Sequence, residues 1–260
     1  MKKDHAATLG VALGFVVIIG SNIMEGGNPT ALLLPAPMVL VFGVTILVSV
    51  AGGTMADAKA IFPNLKKAFG GGVAPAGELV PTVVSLAEKA RREGLLALED
   101  GLRDVEDPFL VKGVTMAIDG TDPEELRDIL EGEVYAKKLA DKHASKFFSD
   151  AGAYSPTIGI IGTVMGLVHV LENLSTPETL GPLIASAFVA TLWGVCAANV
   201  LWFPIGKRLQ RLSDLEVARM ELTIEGVSAI QAGSNPRLVA EKLRSLLPAS
   251  EQDAPGEKAA

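Results

Sequence analysis

Two uncharged apolar runs in the second half of the chain constrain its fold more than any other feature. No Asp, Glu, Lys or Arg occurs between residues 151 and 171 or between residues 179 and 206, and only a short polar connection separates the two runs. Each run is long enough to cross a hydrocarbon core of about 30 Å as roughly 20 helical residues. The sequence therefore predicts a transmembrane helical hairpin.

Small residues form one stripe along each run when the residues are placed on a helical wheel. The stripes consist of Pro156, Gly159, Thr163 and Gly166 in the first run and Ala187, Thr191, Gly194 and Ala198 in the second. Faces of this kind let helix backbones approach closely in lipid. Each stripe also holds one threonine near the middle of its span. Such a threonine either bonds to its own backbone or offers its hydroxyl to an ion path, and the sequence leaves both interpretations open.

The composition is that of a protein that crosses a membrane several times. Of the 260 residues, 49% are hydrophobic and 5% are aromatic, and the mean hydropathy is +0.37, which is too apolar for an ordinary soluble domain. The single cysteine, Cys196, lies inside the last apolar run and is interpreted as a small buried residue, without a disulfide or paired metal-ligand spacing. The net charge of −7 argues against nucleic acid as a partner.

Two further apolar runs precede the hairpin. Residues 6–24 and 26–56 contain no charged side chain. The first run is longer than the apolar part of a signal peptide and the second begins almost at once, so the first is interpreted as a retained span. The prediction is therefore four transmembrane helices, near residues 6–24, 32–53, 154–172 and 183–205.

The positions of the lysines and arginines predict the topology. The residues before the first span hold two of the 23, the segment 53–152 holds thirteen, and the chain from residue 207 onward holds eight. The short connections at 25–31 and 173–182 hold none. The positive-inside rule then places both termini and the long middle segment in the cytoplasm.

One proline lies at the predicted cytoplasmic end of each hairpin span, Pro156 in the third span and Pro204 in the fourth. Proline lacks the backbone donor and leaves the carbonyl one turn earlier without its helical partner. Within a membrane helix this permits a bend, so both positions are predicted bending points.

The predicted fold is an all-α membrane protein with a helical cytoplasmic domain inserted between the second and third spans. A basic amphipathic stretch at 59–69 is expected to lie at the inner membrane surface. Helix-start signals occur at Pro81 and at 121–124, and a turn is expected at 233–236 between two tail helices. The predicted parts are a transmembrane hairpin at 1–56, the interfacial helix and cytoplasmic helical domain at 57–150, a second hairpin at 151–206, C-terminal cytoplasmic helices at 207–247 and a disordered tail at 248–260.

A charged cluster at 89–100 contains Arg91 and Glu99. If the cluster is one helix, a spacing of eight residues places these two side chains within about 80° of each other and roughly 12 Å apart along the axis. One face would then offer a cation and an anion to a partner. A solvated helix surface with local ion pairs is the other interpretation, and spacing alone favours it.

Signatures of enzyme chemistry are missing from the sequence. The histidines His5, His143 and His169 are isolated, and no zinc-protease motif, glycine-rich phosphate loop or nucleophile elbow occurs. His169 is interpreted as an interfacial histidine in preference to a proton relay. Apart from Glu172 at the very end of the third, no Asp or Glu lies inside a predicted span, so an ion path along the hairpin requires a second subunit that brings a titrating carboxylate.

Five segments show a family resemblance: ARREGLLALE at 90–99, DGTDPEELRDILE at 119–131, SPTIGIIGTVMGLVHVLENL at 155–174, LGPLIASAFVATLWGVCAANVLWFPI at 180–205 and GSNPRLVAEKLRSLLP at 233–248. With them, most of the chain resembles the A-subunit family of flagellar motor stators (MotA-like), which is related to the ExbB and TolQ subunits of energy-transducing complexes. ExbB-like and TolQ-like proteins place one span before the cytoplasmic domain, so the two early spans here favour the MotA-like family.

The resemblance implies an inner-membrane homo-pentamer around a dimer of a MotB-like single-span subunit that grips peptidoglycan. It implies no cofactor, and ions cross between the ring and a membrane Asp of the partner. The matching positions are Arg91 and Glu99 for contact with a FliG-like rotor protein, Pro156 and Pro204 for coupling ion passage to movement, and Thr163 and Thr191 for pore-facing hydroxyls. The residues expected to pack against the partner helix are Gly159, Gly166, Ala187, Gly194 and Ala198.

Two departures from the family pattern were considered for the identity of the transported ion. Trp193 stands where the family often has Tyr, and this change keeps a bulky aromatic ring. Ala190 stands where sodium-driven relatives tend to have a second Thr beside the one that matches Thr191. One oxygen fewer suits a proton better than a cation that needs several oxygen ligands, so H⁺ is the predicted transported ion and Na⁺ the alternative.

Three other functions stay open on the sequence. An ExbB-like or TolQ-like role in another envelope process is disfavoured by the pair of early spans. A membrane scaffold that passes no ions would be distinguished by a flux measurement. A membrane enzyme is the least favoured, because no span holds an Asp pair, and Ser155 and His169 lie at opposite ends of the third span.

Overall fold

The computed structural model describes residues 4–252, and all regular secondary structure in that range is helical. Ten helices are numbered here in chain order. They are α1 (Ala6–Met24), α2 (Pro35–Ala51), α3 (Met55–Gly70), α4 (Val80–Glu93), α5 (Leu98–Gly101), α6 (Pro108–Ile118), α7 (Pro123–Glu172), α8 (Pro177–Gln231), α9 (Pro236–Ser245) and α10 (Ala249–Gln252). Short 3₁₀ turns at Pro29–Leu32, Ala76–Leu79, Leu95–Ala97 and Leu102–Asp104 lie between them.

Three of these helices, α1, α7 and α8, are long and apolar enough to cross a membrane. Four spans were predicted, and the predicted second one, 32–53, is the shorter apolar helix α2 with 17 residues. It begins at Pro35, after a 3₁₀ turn capped by the side chain of Asn28. It ends before the pair Gly52 and Gly53. These start and stop residues hold α2 to less than the length of a full span.

Helices α7 and α8 are longer than the spans predicted within them. Helix α7 has 50 residues, and the segments Pro177–Cys196, Ala197–Trp202 and Phe203–Gln231 of α8 follow one another without a break. The predicted separation of spans from cytoplasmic helices, near residues 150 and 206, therefore falls inside continuous helices. Polar residues replace apolar ones there without a helix-ending signal, so the backbone hydrogen bonding continues.

The predicted helix starts and the tail turn are confirmed. Helix α4 has a proline in its first turn, and the carboxylate of Asp122 accepts the backbone N–H of Glu124 at 2.9 Å at the start of α7. In the tail, Gly233 has a φ of +61° and the side chain of Asn235 caps α9. Of the predicted disordered tail, residues Ala249–Gln252 form a helical turn, and residues 253–260 lie outside the described residues.

The chain divides into two compact units. The membrane unit extends to Gly71 and resumes from Asp141 to Arg211, and the helical domain contains Gly72–Ala140 and the chain from Leu212 onward. The core of the helical domain includes fully buried aliphatic side chains from five helices. These include Val83, Leu110, Leu130, Val227 and Leu243. Burial of each such leucine or valine contributes about 1.5–3 kcal/mol, which is sufficient to hold short amphipathic helices together.

The membrane unit has a small core and a large apolar surface. Phe148, Ala151, Trp202 and Ile205 are among its buried residues. Many of its large apolar side chains are instead exposed, and they include Val16, Val17, Ile160, Val164, Met165 and Leu171. An apolar surface of this extent is typical of contact with lipid or with other membrane helices.

Helix α3 is the predicted basic amphipathic helix. It begins with a reciprocal capping box, in which the hydroxyl of Thr54 accepts the backbone N–H of Asp57 and the Asp57 carboxylate accepts the backbone N–H of Thr54. Its position at a membrane surface stays a prediction.

Candidate functional site

The two small-residue stripes meet where α7 and α8 come closest. A Cβ atom added to Gly159 would lie 2.9 Å from the carbonyl oxygen of Ala190 and 3.1 Å from the Cα of Gly194. A Cβ added to Gly166 would lie 2.6 Å from the Cβ of Ala187. These distances leave no room for a side chain, so the glycines permit contact between the helix backbones. Ala198, from the second stripe, is fully buried.

The hydroxyls of Thr163 and Thr191 are in direct hydrogen-bond contact across this helix pair. Thr163 Oγ1 also lies 3.2 Å from the carbonyl oxygen of Gly159 and 3.1 Å from that of Ala187. Thr191 Oγ1 lies 3.4 Å from the same Gly159 oxygen. Each threonine therefore reaches the backbone of the other helix, and Thr163 also reaches its own. The backbone-bonding interpretation is therefore correct for Thr163, and the ion-path interpretation stays a prediction for both threonines.

This group of oxygen atoms is chemically suited to holding a proton or a water molecule. Each hydroxyl is one donor with acceptor capacity, and the contacting carbonyls are acceptors only. Two donors are thus shared among more acceptors than they can satisfy at once. Both threonines are half-buried, so one side of the pair is open. A further donor arriving from that side would find a lone pair available.

Ala190, the residue on which the ion prediction depends, is 2% exposed. Its Cβ lies 2.7 Å from the position of a Cβ added to Gly162, and a Leu40 side-chain carbon lies 2.9 Å from that same position. Ala190 therefore packs where α7, α8 and α2 meet. The effect of an added oxygen at this position on ion choice stays a prediction.

The two prolines lie in different helical contexts. Pro156 is inside α7, where it leaves the carbonyl of Gly152 without its usual helical partner. Pro204 lies two residues after the end of the π-helical segment Ala197–Trp202 of α8. A π-helical turn is a local departure from regular α-geometry that often occurs at bends and functional sites. Both positions are therefore places where the helix can change direction.

Arg91 and Glu99 are both exposed but do not share a helix. Helix α4 ends at Glu93, because Gly94 adopts a φ of +86°. The residues Leu95–Ala97 then form a 3₁₀ turn, and Glu99 lies in the separate short helix α5. The separation of about 80° and 12 Å expected for one helix is therefore wrong, since a left-handed glycine ends an α-helix.

Other residues singled out in the sequence have ordinary surroundings. The Nδ1 atom of His169 lies 3.2 Å from a carboxylate oxygen of Glu172, and both side chains are exposed. Trp193 donates its indole N–H to the backbone carbonyl of Leu32 at 2.6 Å. Cys196 is half-buried. The contact of His169 is that of a satisfied histidine, whereas Cys196, predicted to be buried, is only partly so.

The sequence analysis missed two buried hydroxyls in the membrane unit. Ser155 and Thr45 are both 0% exposed, and neither side-chain oxygen has a hydrogen-bond partner among the described residues. The spacing of Thr45 and Ser49, four residues apart in an otherwise apolar helix, is the signal that could have identified this polar face. Ser155 directly precedes Pro156 and was overlooked beside it.

The chain matches two family descriptions. The MotA/TolQ/ExbB proton channel family matches residues 102–222, and the N-terminal region of motility protein A matches residues 8–94. The second match covers α1 and α2, and the first covers α7 and most of α8.

Full-length similarity extends to named relatives. Motility protein A of Bacillus subtilis is 36% identical over 250 residues, which cover 96% of this chain and 93% of that protein. Motility protein A of Treponema pallidum is 32% identical over 246 residues, which cover 94% of each.

Two solved structures have the same fold. A chain of the flagellar MotAB stator complex from Bacillus subtilis has a TM-score of 0.89 at 35% identity, covering 96% of this chain and 99% of that one. A chain of C. jejuni MotAB has a TM-score of 0.91 at 29% identity, covering 99% and 100%. Because sequence and fold agree over nearly the whole length, the chain belongs to the motility protein A group of the MotA/TolQ/ExbB proton channel family.

Proposed function

We propose that the protein works as the ion-path and torque-generating subunit of a proton-driven flagellar stator. The chain is a non-enzymatic, multi-pass membrane subunit of the MotA type. The observation that carries the proposal is the contact between the Thr163 and Thr191 hydroxyls at the closest approach of two membrane helices. Such a pair provides oxygen atoms for a proton while adding no charge of its own to the membrane.

The proposed assembly is five copies of this chain around two copies of a MotB-like partner. The similar Bacillus subtilis chain is part of a flagellar MotAB stator complex. A partner is also required by the chemistry, because no Asp or Glu lies in the interior of a predicted span of this chain, Glu172 being the last residue of the third. The partner would supply the titrating carboxylate, and its periplasmic part would hold peptidoglycan.

The proposed topology has four spans, with α2 as the short second span and both termini in the cytoplasm. The distribution of Lys and Arg supports it, since thirteen of the 23 lie in 53–152 and none lies in the two short connections. The Gly52-Gly53 end of α2 and the capping box of α3 would then lie at the cytoplasmic membrane surface.

In the proposed cycle, protonation of the partner's Asp removes its charge beside Thr163 and Thr191. The neutral side chain can then move past a low-dielectric surface that a carboxylate would cross only at high cost. A charge that crosses a potential of 100 mV releases about 2.3 kcal/mol, which sets the scale of one step. Arg91 and Glu99, exposed on the helical domain, are proposed to transmit that step to a FliG-like rotor protein.

Ion flux into vesicles tests the proposal most directly. The chain is reconstituted alone and with its MotB-like partner, and flux is driven by an imposed potential in proton-only and sodium-containing buffers. We expect flux that requires the partner and is unchanged by sodium. Sodium-dependent flux would contradict the prediction of H⁺ as the transported ion but would leave the stator function standing. Flux without the partner, or no flux with it, would contradict the stator function.

An ExbB-like or TolQ-like role is the alternative, since those proteins share the family description at 102–222. The match of residues 8–94 to the motility protein A N-terminal region favours the flagellar role. Restoration of swimming in a host that lacks its own A subunit would distinguish the two roles.

A further inference from the structure

We propose that protons leave the membrane through this chain itself, along a buried seam between α2 and α7 that is marked by the hydroxyls of Ser155 and Thr45 and opens into a polar pocket. The inference rests on the proposed stator function, and it adds the exit route that the Thr163–Thr191 contact does not provide. The seam is defined here as the contact between the buried faces of α2 and α7.

The register of the two helices places Ser155 and Thr45 at the same depth. At one end of the seam, a Leu40 side-chain carbon lies 2.9 Å from the position of a Cβ added to Gly162. At the other end, Ser49 lines the same pocket as Asp150. The two helices are therefore antiparallel. Because Thr45 lies about midway between Leu40 and Ser49, its level on α7 is that of Ser155.

The two residues also lie on the inward faces of their helices. On α2, the residues Val41, Thr45 and Ser49 are four apart and are all buried. On α7, Ser155 is seven residues from Gly162, which corresponds to two helical turns and nearly the same direction. A Cβ added to Gly162 would lie 2.9 Å from Leu40 of α2 and 2.7 Å from Ala190 of α8, so the Ser155 face points to the place where the seam meets α8.

Both hydroxyls are unusual in lacking a partner. A serine or threonine in a membrane helix commonly donates to the carbonyl four residues earlier, and Ser49 does so to Thr45 at 2.8 Å. Ser155 and Thr45 make no such bond to any described residue, although both are fully buried. An unsatisfied buried polar group costs about 1–3 kcal/mol. Buried hydroxyls kept at this cost are the groups that hold an internal water molecule or pass on a proton.

The seam opens into a pocket of about 510 Å³ in the membrane unit. Its lining includes four side chains that can carry a charge, namely Asp57, His143, Lys146 and Asp150. Hydrogen bonds from the hydroxyl and the backbone N–H of Thr54 hold the pKa of Asp57 below its ordinary value. Lys146 forms an ion pair with Asp150. The pocket is large enough for several water molecules beside groups that accept a proton.

The proposed route follows oxygen atoms in sequence from the threonine pair to this pocket. Gly159, whose carbonyl accepts from both threonine hydroxyls, lies one helical turn from Ser155. A water molecule at that level takes the proton from the threonine pair and passes it to the hydroxyls of Ser155, Thr45 and Ser49, which follow towards the pocket. Each hydroxyl accepts one proton on its oxygen and releases its own to the next oxygen or water. No covalent bond other than O–H changes, and the proton ends on water, the Asp150 carboxylate or the His143 imidazole.

The test replaces the two hydroxyls by groups of the same shape without them. Ser155→Ala and Thr45→Val, singly and together, are reconstituted as the full chain with its partner, and proton flux and recovery of the intact complex are both measured. Because neither hydroxyl has a protein partner to lose, folding and assembly are expected to be unchanged. We expect the double variant to lose at least tenfold in proton flux. Thr157→Val is the matched control, since that hydroxyl is exposed and donates to the Tyr154 carbonyl at 2.7 Å.

Hydroxyl-retaining variants complete the test. Thr45→Ser and Ser155→Thr are expected to keep flux within about twofold of the wild type. The proposed proton route along the seam is contradicted if the double variant conducts protons like the wild type, or if the hydroxyl-retaining variants lose as much flux as the double variant does. A wild-type complex that passes no protons in the same assay would instead overturn the stator function, so the two failures are distinguishable.

Discussion

At the scale of single residues, the predictions concern hydroxyls in the membrane unit and charged groups in the helical domain. The threonine pair shares two hydroxyl donors among several carbonyls, and this is the basis of its proposed role in proton passage. In the helical domain, Glu225 accepts hydrogen bonds from Lys242 at 2.6 Å and Arg127 at 2.7 Å. The threonine pair leaves hydrogen-bond acceptors unused, whereas the acceptors of Glu225 are occupied in ion pairs that stabilise the fold.

Thr191→Val tests the threonine pair. The substitution keeps the shape of the side chain and removes the hydroxyl that contacts Thr163. We expect proton flux through the complex to fall about tenfold or more while the amount of assembled complex is unchanged. Thr191→Ser, which retains the oxygen, is the control. Equal losses of flux and assembly would make Thr191 a packing residue only.

Glu225→Gln tests the ion-paired cluster. The hydrogen bond from Lys242, followed by that from Arg127, holds the pKa of Glu225 below its ordinary value. The ion pairs of Glu225 with Lys242 and Arg127 therefore stabilise the folded state at pH values above the unfolded-state pKa of about 4.3. This stabilisation is lost as the pH falls through the lower pKa of Glu225 in the folded state. We expect the free energy of unfolding of the variant to be lower by about 1 kcal/mol near neutral pH. The loss is this small because the partners are partly exposed to solvent.

Thermal unfolding between neutral and acidic pH measures this effect. The difference in melting temperature between wild type and Glu225→Gln should shrink as the pH is lowered. Glu241→Gln, at an exposed position of α9, is the control and should be neutral. A difference that stays constant down to low pH would show that the ion pair is not its source.

At the scale of elements, backbone contact between α7 and α8 makes their glycines sensitive to any added atom. Gly159→Ala would place its Cβ 2.9 Å from the Ala190 carbonyl oxygen, and a backbone atom cannot move aside cheaply. We expect the free energy of unfolding to fall by about 1–3 kcal/mol, which would be measured as a lower melting temperature. Gly132→Ala, in the same helix with no atom within 4 Å of the added Cβ, should be neutral or slightly stabilising. Equal stability of the two variants would refute the contact.

The helix starts and the apolar runs could be predicted from sequence because their signals are local. A cap such as Asp122, or a stretch without charges, acts within a few residues. The end of α4 at Gly94 was also marked locally, by a glycine after two arginines, but the regular spacing on both sides suggested one helix. The continuity of α7 and α8 could not be predicted from the change from apolar to polar side chains. That change indicates where the surroundings of the helix become aqueous, but it does not interrupt the backbone hydrogen bonds.

The candidate site could be predicted in part for a similar reason. Helical periodicity was sufficient to place the threonines on their small-residue faces. It could not show which hydroxyls find partners, because bonding depends on contacts across helices. Ser49 and Thr45 look alike in the sequence, and only their surroundings make one bonded and the other unpartnered.

At the scale of the whole molecule, flux and torque are expected to be separable. Arg91 and Glu99 are exposed in the helical domain, and the threonines belong to the membrane unit. We expect Arg91→Glu or Glu99→Lys to abolish swimming while proton flux of the complex in vesicles stays within about twofold of the wild type. Arg103→Glu, at an exposed arginine of the same domain, is the control. Normal swimming of both reversal variants would place the rotor contact elsewhere.

The glycine contact between α7 and α8 also limits how the membrane unit can move. A Cβ added to Gly159 would lie 3.1 Å from the Gly194 Cα, and one added to Gly194 would lie 2.9 Å from the Gly159 Cα, so no side chain lies between the helices there that could change rotamer and let one slide past the other. At this level the two helices are expected to move together as one rigid unit. If the hairpin bends, the bending is expected near Pro156 and Pro204 at one end of the pair, and the threonine contact beyond them would keep its geometry.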